Sequence, residues 1–185
     1  MRRWPLAQAA KAIAAGGIIA YPTEAVYGLG CDPMNPAAVL RLLTLKQRRL
    51  EKGLILIAAE LDQLLPYIAQ PTIDQLQLIG STWPGPTTWL LPKRPEAPPW
   101  ICGQFDTVAV RVTRHPIAAA LCRYSNSALI STSANRKDRH PARSRLRIQQ
   151  QFGNQLDYIL TGPVDCHARP TEIRDVRDGR IIRPG

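Results

Sequence analysis

Three clusters of polar side chains stand beside short apolar runs of the sequence. They are residues 22–30 (PTEAVYGLG), 46–49 (KQRR) and 131–135 (STSAN). Polar groups just outside strand ends are where open α/β sheets bind ligands. Hydroxyls, an amide and paired cations in such places suit a phosphate or a carboxylate. Each cluster also has an alternative explanation. Residues 22–30 could form a structural turn, residues 46–49 could be basic because cations are favourable at a helix C-terminus, and residues 131–135 could form a Ser/Thr turn.

Three cationic side chains, Lys46, Arg48 and Arg111, are the strongest candidates for binding such an anion. Lys46 and Arg48 stand just before an apolar run, where they could clamp an oligophosphate. Arg111 lies inside the apolar run 107–112. A buried, unpaired guanidinium is costly, so Arg111 should meet an anion. A solvent-facing position at a sheet edge is the alternative for Arg111.

The charge of the chain points the same way. Lys and Arg number 24 against 14 Asp and Glu, a net charge of +10, and 19 of the 24 are arginine. Arginine presents a planar fork of donors that suits phosphates and carboxylates. Residues 136–147 form a basic run that is either a solvated loop or a nucleic-acid contact. Its cations are Arg136, Lys137, Arg139, Arg143, Arg145 and Arg147.

Several common chemistries have no motif in this sequence. There is no GxxxxGK[ST], GxGxxG, HExxH, GxSxG or CxxC, and the three histidines suggest no triad. The four cysteines are too widely spaced for a zinc module, so we expect no metal site and free thiols in a reducing cytoplasm. No apolar run approaches the ~18 residues of a membrane span. The N-terminus is expected to be a helix of the folded protein rather than a signal peptide.

The apolar patterns predict interleaved helices and strands in a domain covering residues 1–185. Asp178-Gly179 predicts a terminal hairpin, and such interleaving favours an α/β fold with a mixed sheet. Helices are predicted over residues 6–15, from Pro36 to about residue 46, and over 61–68, 73–79, 116–124 and 144–152. Strands are predicted over residues 18–21, 54–59, 87–91, 107–112, 128–131, 158–160, 172–176 and 180–183, with residues 22–33 as a loop or irregular strand.

The order of the polar motifs resembles that of the YrdC/Sua5 family. Six motifs occur in the family's order: PTEAVYGLG, KQR, WPGPTT, VAVRVTRHP, STSAN and IIRPG. The resemblance extends from residue 18 to residue 185. It implies a YrdC-like α/β fold, similar to that of dihydroxybutanone-phosphate synthase. In that fold a twisted mixed sheet with flanking helices surrounds a basic concave cavity.

The resemblance also implies an enzyme of tRNA modification. Family members join L-threonine, bicarbonate and ATP into threonylcarbamoyl-adenylate and release pyrophosphate, which makes them nucleotidyltransferases. The product serves the synthesis of N6-threonylcarbamoyladenosine (t6A) in tRNA, so the transferase machinery that consumes it is an implied partner. Catalysis would come from positioning and electrostatics, since no protein nucleophile is implied.

The family's binding residues carry over onto ten positions of this chain. The resemblance implies that Arg111 neutralises the carboxylate of threonine, and that Lys46, Arg48 and Arg183 hold the phosphates. Mg²⁺ would be held mainly by those phosphates. The implied threonine-binding residues are Thr23, Arg111, Ser131 and Thr171. The implied ATP-binding residues are Lys46, Arg48, Thr107, Ser133, Asn135 and Arg183.

Some positions depart from the longer members of the family. Ala25 lacks a hydroxyl that they often carry, and Ile57 stands where they often have a histidine that contacts threonine. Thr171 stands where serine is common and keeps the hydroxyl. Longer members continue beyond the equivalent of Gly185, so we expect that no nucleotide-covering segment comes from this chain.

Two other functions remain open at this point. The basic residues 136–147 are consistent with a factor that binds duplex RNA or tRNA during rRNA or tRNA maturation, without chemistry. That function is compatible with the enzyme, whose product modifies tRNA. A hydrolase module for acylphosphate or carbamoyl groups, joined to larger proteins, is a weaker alternative.

Overall fold

The computed structural model describes residues 3–165 and 171–185. In this part of the chain, nine strands form one mixed sheet in the order β7-β1-β2-β6-β3-β5-β4-β8-β9. The strands are β1 (Ile19–Pro22), β2 (Tyr27–Gly30), β3 (Ile55–Ala58), β4 (Thr87–Pro92), β5 (Thr107–Val112), β6 (Leu129–Ser133), β7 (Tyr158–Ile159), β8 (Glu172–Asp175) and β9 (Ile181–Arg183). Strand β3 is parallel to β5, β4 to β8 and β1 to β7, and the other neighbours are antiparallel. The predicted mixed α/β fold is confirmed.

Within the described residues, six α-helices flank the sheet, and local sequence signals start four of them. Asn35 caps the second helix by accepting a hydrogen bond from the backbone N–H of Ala38. Thr72 forms a capping box with Gln75, while His115 and Ser144 cap later helices. The helices are α1 (Arg3–Ala14), α2 (Pro36–Lys46), α3 (Ile73–Gly80), α4 (Pro99–Cys102), α5 (Pro116–Ser125) and α6 (Arg145–Phe152).

The two faces of the sheet pack against different sets of helices. Leu56 and Ala58 of β3 belong to the larger core, which also includes apolar side chains of α2 and α6. Ile57, between them, belongs to the second core, which includes α1 and α5. This alternation is expected for a strand that is covered on both faces. Among the described residues, none of the helices combines the length and apolar character needed to cross a bilayer.

One of the predicted elements is wrong, and the segment predicted as a loop or irregular strand contains a regular strand. Residues 61–68 form a short 3-10 turn, Leu61–Gln63, followed by further turns rather than a helix. Pro66 interrupts helical hydrogen bonding there, and the Gln63 side chain instead binds the backbone of Ala59 and Cys122. Residues 22–33 are not only a loop, because they contain β2, which pairs with β1 and β6. The predicted hairpin near Gly179 is confirmed by the antiparallel pair β8 and β9.

Candidate functional site

A cavity of about 190 Å³ lies against the face of the sheet that includes Arg111. Seven of the ten predicted binding residues line it, and they come from segments far apart in the sequence. Ala25, one of the positions that departs from longer family members, also lines the cavity. The seven residues are Thr23, Arg48, Arg111, Ser131, Ser133, Thr171 and Arg183.

Strand pairing explains why these side chains meet. Residues directly opposite each other on paired strands project to the same face of a sheet. Ile55 of β3 lies opposite Ser131 of β6, and Ile57 lies opposite Arg111 of β5. Since side chains alternate along each strand, every second residue of β5 and β6 shares this face. The predicted residues on it are Thr107, Arg111, Ser131 and Ser133.

A glycine of the first polar cluster keeps space open in the cavity. Gly28 of β2 lies opposite Ser133 of β6. A Cβ atom added to Gly28 would lie 3.3 Å from Cγ2 of Thr23 and 3.4 Å from Oγ of Ser131. A side chain at this position would therefore extend into the space between the hydroxyl groups.

Three arginines of the described part of the chain give the cavity positive charge. Arg111 is buried, Arg48 is partly buried and Arg183 lies at the rim. Burial and the charge of Arg183 lower the pKa of Arg48, and burial and the charge of Arg111 lower the pKa of Arg183. No carboxylate side chain lines the cavity among the described residues. Mutually repelling cations around an open space form a site that an anion would stabilise.

The protein backbone holds two of these guanidinium groups in place. Arg48 donates from Nη2 to the carbonyl oxygen of Gly53 at 2.8 Å, and from Nε to the same oxygen at 3.2 Å. Arg183 donates from Nη2 to the carbonyl oxygen of Thr171 at 3.0 Å. Neutral carbonyls orient these side chains without cancelling their charge, so both keep an electrostatic attraction for a phosphate.

Lys46 and Asn135 do not line the cavity but support the strand that does. The Lys46 ammonium donates to the carbonyl oxygens of Ser133 (2.7 Å) and Asn135, and to Oδ1 of Asn135 at 3.0 Å. Ser133 Oγ donates to the same Oδ1 at 2.7 Å. Burial and the nearby charge of Arg48 lower the pKa of Lys46 to about 8. Three protein acceptors thus take up the donors of Lys46 at the end of β6.

Thr107 lines a second recess that adjoins the cavity. This recess has a volume of about 240 Å³ and shares Arg48, Leu54, Ile55 and Arg183 with the cavity. Its other walls are mainly apolar: Leu90, Ile101, Cys102, Phe105, Ala109, Ile173 and Ile182. The structure therefore offers a cationic cavity beside an apolar recess, with Arg48 and Arg183 at their boundary.

Sequence analysis missed Glu24, which forms an ion pair with Arg111. Oε2 of Glu24 lies 3.3 Å from Nη2 of Arg111, and both side chains are largely buried. Arg111 thus meets an anion, as the sequence predicts, and this anion belongs to the protein. Glu24 stands next to Thr23 in the first polar cluster, which is the signal that could have identified it.

The basic run 136–147 lies on a different surface. The backbone of Gln151 accepts a hydrogen bond from Arg136, whose guanidinium also lies over the ring of Phe152, so this arginine packs onto α6. Lys137 is exposed, and Arg145 lines a separate shallow surface. An open cleft of about 600 Å³ contains Arg136, Arg139, His140, Pro141, Arg143, Arg147, Gln150 and Gln151.

The structure also places the remaining positions singled out in the sequence. Ile57 is fully buried beneath α1 and α5 and does not line the cavity. Cys31, Cys102 and Cys122 are buried free thiols. Cys166 lies outside the described residues. Within residues 3–165 and 171–185, no three His, Cys, Asp or Glu side chains are grouped closely enough to hold a metal ion.

The fold and cavity define an α/β protein with a mixed sheet, in which Arg48, Arg111 and Arg183 converge on one cavity. The chain belongs to the YrdC/Sua5 family, because the family model for Sua5, YciO and YrdC, described as "Telomere recombination", matches residues 11–185. The resemblance of the six motifs is thereby confirmed.

Relatives with similar sequences carry one common name. A threonylcarbamoyl-AMP synthase of Nitrosococcus oceani is 53% identical over 180 residues, which is 97% of this chain and 97% of that protein. A threonylcarbamoyl-AMP synthase of Alkalilimnicola ehrlichii is also 53% identical, over 98% of this chain and 96% of the relative.

Solved structures of the family share the whole fold. Sua5 of P. abyssi, solved in complex with L-threonine, superposes with a TM-score of 0.92 at 31% identity. It covers 100% of this chain, which in turn spans about half (55%) of the Sua5 chain. YciO of E. coli gives a TM-score of 0.86 at 26% identity, over 100% of this chain and 90% of that one.

Proposed function

We propose that the chain is an L-threonylcarbamoyladenylate synthase, which forms threonylcarbamoyl-AMP and pyrophosphate from L-threonine, bicarbonate and ATP. The observation that carries the proposal is the convergence of Arg48, Arg111 and Arg183 with serine and threonine hydroxyls in one cavity. Cations suit the carboxylate of an amino acid and the phosphates of a nucleotide. The similarity to relatives named threonylcarbamoyl-AMP synthase supports this combination of substrates.

Threonine binds at the Arg111 side of the cavity. The guanidinium of Arg111 takes the carboxylate, and the hydroxyls of Ser131 and Thr171 face the polar groups of the amino acid. The Thr23 hydroxyl donates to the carbonyl oxygen of Val26 at 2.6 Å and can accept a hydrogen bond from the ligand. The methyl group Cγ2 of Thr23 and the side chain of Ala25 offer apolar contacts in the same place. The L-threonine bound to the P. abyssi protein supports this assignment.

ATP binds across the boundary between the cavity and the apolar recess. Arg48 and Arg183 stand at this boundary and attract the phosphates. The recess behind them, with Thr107 and Phe105 among its walls, suits the base. Ser133 borders the cavity, while Lys46 and Asn135 hold the end of its strand.

Mg²⁺ enters with ATP as part of the substrate. The described residues around the cavity are arginines, hydroxyls and apolar groups, which do not form a magnesium site of their own. The phosphates of ATP therefore supply the ligands, and the arginines complete the neutralisation of their charge.

The reaction needs orientation more than acid or base catalysis. The threonine amine and bicarbonate condense to a carbamate with loss of water. A carbamate oxygen then attacks the α-phosphorus of ATP in line and displaces pyrophosphate. Arg111 fixes the amino acid at one side of the cavity, while Arg48 and Arg183 stabilise the charge that develops on the leaving pyrophosphate. The partly enclosed cavity strengthens these electrostatic interactions relative to water.

Substrate dependence of pyrophosphate release tests the proposal. We expect release only when ATP, bicarbonate and L-threonine are all present, with threonylcarbamoyl-AMP detected by mass spectrometry. Reactions that lack one substrate, or that contain D-threonine, serve as controls. A release rate that does not change when threonine is omitted would refute the function.

The product and the thiols suggest where the enzyme works. We infer that threonylcarbamoyl-AMP passes to a separate transferase that modifies tRNA, because the product is an activated acyl group. Cys31, Cys102 and Cys122 are free and buried, which suits a reducing compartment such as the cytoplasm. One domain over residues 1–185 suffices for this proposal.

A second candidate function is contact with tRNA or duplex RNA through the cleft of residues 136–151. Arg139, Arg143 and Arg147 line this cleft, and all three are exposed. Exposed arginines in a row suit the phosphates of a polynucleotide. Affinity for duplex RNA, measured by fluorescence anisotropy, should fall steeply between 50 and 200 mM salt. Binding that does not depend on salt, or no binding at 50 mM salt, would refute this function.

A further inference from the structure

Glu24 lies behind the cavity rather than in it. Its carboxylate faces Arg111, with 3.3 Å between Oε2 and Nη2. The side chain of Glu24 is 16% exposed and that of Arg111 is 6% exposed, so water screens this pair only weakly. Glu24 is not among the residues that line the cavity. Glu24 therefore does not contact the cavity directly, whereas its ion-pair partner Arg111 does.

Several contacts fix Glu24 on the side away from Arg111. Thr113 donates from Oγ1 to Oε1 of Glu24 at 2.6 Å, and the same hydroxyl accepts from the backbone N–H of His115 at 3.1 Å. The backbone carbonyl of Glu24 accepts from the N–H of Asp165 at 2.9 Å. These contacts join Glu24 to the start of α5 and to the segment that leads towards Thr171.

The pair is incompletely satisfied as a structural contact. Oε2 of Glu24 and Nε of Arg111 are buried, and neither forms a hydrogen bond. A buried ion pair with unsatisfied atoms is poor support for stability, because desolvation of the charges offsets their attraction. Stability alone therefore does not account for this arrangement.

Glu24 keeps its negative charge in this environment. Burial alone would raise its pKa, but the charge of Arg111 and the hydrogen bond from Thr113 prevail and lower the pKa below its usual value. A fixed carboxylate thus stands on one side of Arg111, while the cavity and Arg183 stand on the other. The carboxylate restrains the guanidinium of Arg111 against repulsion from Arg183. This repulsion is reflected in the pKa of Arg183, which is lowered first by burial and then by the charge of Arg111.

We propose that Glu24 is a positioning residue, which holds the guanidinium of Arg111 in the orientation that presents its remaining N–H groups to the carboxylate of threonine. The inference rests on the proposed function. Positioning and simple electrostatic competition predict opposite changes in threonine affinity when the Glu24 carboxylate is removed. A carboxylate that merely competed for Arg111 would weaken threonine binding, so its removal would strengthen that binding. A carboxylate that orients Arg111 strengthens binding, so its removal weakens it.

Calorimetric titrations of threonine and of Mg-ATP into wild type and Glu24→Gln test the proposal. Glutamine keeps the shape and the acceptor for Thr113, and it places an uncharged NH2 group where the carboxylate oxygen faces Arg111. We expect the Kd for threonine to rise about tenfold or more, as for loss of a charge-assisted contact. The Kd for ATP should stay within about twofold or decrease, since the cavity becomes more positive. The kcat at saturating threonine should stay within about threefold of wild type.

Two further variants make the test specific. Glu24→Asp keeps the charge at a slightly greater distance and should bind threonine with an affinity between those of wild type and Glu24→Gln. Glu60→Gln is the matched control, because Glu60 forms a 2.9 Å ion pair with Arg123 on the exposed surface. This control should bind both ligands like wild type.

Four outcomes would overturn the proposal. Threonine binding by Glu24→Gln that equals or exceeds wild-type binding would exclude positioning. A parallel loss of threonine and ATP affinity, together with a lower melting temperature, would show a structural role. Should Glu24→Gln not fold, an unchanged threonine Kd in Glu24→Asp would refute the orientation argument. Wild-type protein that binds ATP but no threonine would refute the proposed function itself, and the positioning role with it.

Discussion

The chain has two arginine-rich regions whose charges come together in opposite ways. Arg48, Arg111 and Arg183 are distant in sequence and converge on one cavity in the fold. The arginines of residues 136–147 are neighbours in sequence, and most of them spread over an exposed surface. The first region is partly shielded from water, and burial, together with the charge of a neighbouring arginine, lowers the pKa values of Arg48 and Arg183.

The difference shows that a run of like charges is a weaker sign of a small-molecule site than isolated arginines beside apolar runs. Exposed charges are screened within about 8–10 Å at physiological salt, whereas buried charges are screened much less. Each cation of the converging set therefore contributes strongly to binding one small anion. The exposed run suits a long polyanion, whose many weak contacts add up.

The largest effect should come from Arg111→Ala. This change removes the group that takes the threonine carboxylate and leaves Glu24 buried without its ion pair. We expect kcat/KM for threonine to fall about 1000-fold, since truncating one member of a buried charge pair costs several kcal/mol. Arg114→Ala, at an exposed position three residues along, is the control and should retain wild-type kinetics. Equal kinetics in Arg111→Ala and Arg114→Ala would show that Arg111 does not bind threonine.

The next largest effect should come from Arg48→Ala. Loss of this cation at the boundary of the cavity should raise the Kd for ATP about 100-fold, as expected for a charge-assisted phosphate contact. Arg49→Ala is a matched control in the adjacent residue, because the Arg49 side chain is 79% exposed. The comparison by calorimetry directly contrasts a converging arginine with an exposed one. Equal losses in both variants would contradict the distinction between the regions.

A smaller effect should follow from the titration of Lys46. Its pKa of about 8 means that the ammonium is mostly charged at pH 7 and mostly neutral at pH 9. Deprotonation removes a positive charge near the phosphates, so ATP affinity should fall as the pH rises through 8, by up to about tenfold. Calorimetry with ATP alone avoids titration of the threonine amine. Lys46→Met should bind ATP weakly with no change between pH 7.5 and 9, and a persisting pH dependence would assign the titration elsewhere.

The smallest effect on catalysis should come from the basic run. Changing Arg143, Arg145 and Arg147 together to Gln should alter pyrophosphate release less than about twofold, because exposed charges at a distance are screened. If the cleft binds RNA, the same variant should lose affinity for duplex RNA and show a smaller salt slope, by about one for each phosphate contact removed. Arg145→Gln alone is the control, since Arg145 does not line the cleft. A strong loss of turnover would show that the basic run contributes to the same site as the converging arginines.

The sequence predicted most of the fold because its signals are local. The caps Asn35 and Ser144 start helices where the sequence indicates, and the central strands lie where the apolar runs stand. The prediction of a helix over residues 61–68 was wrong because Pro66 and a side-chain contact of Gln63 override the apolar pattern. The short strand β2 was missed as a regular element because pairing with β1 and β6, and not its own composition, defines it.

The candidate site was predictable where family motifs and strand alternation coincide. Seven of the ten predicted residues line the cavity, and Thr107 lines the adjoining recess. Their binding roles remain predictions, which the variants above test. The sequence alone could not distinguish a residue that faces the ligand from one that supports it, as Lys46 and Asn135 illustrate.

By itself the sequence determined most of the elements, the charge and the order of the motifs, because these depend on residues close together in the chain. Only the tertiary structure decided that Glu24 faces Arg111, that Lys46 binds the end of β6 and that Arg136 packs onto α6. The first two contacts join segments 87 residues apart, and only strand pairing and burial fix their geometry. Burial also decided which arginines matter most for a small anion, since it removes the water that would otherwise screen them.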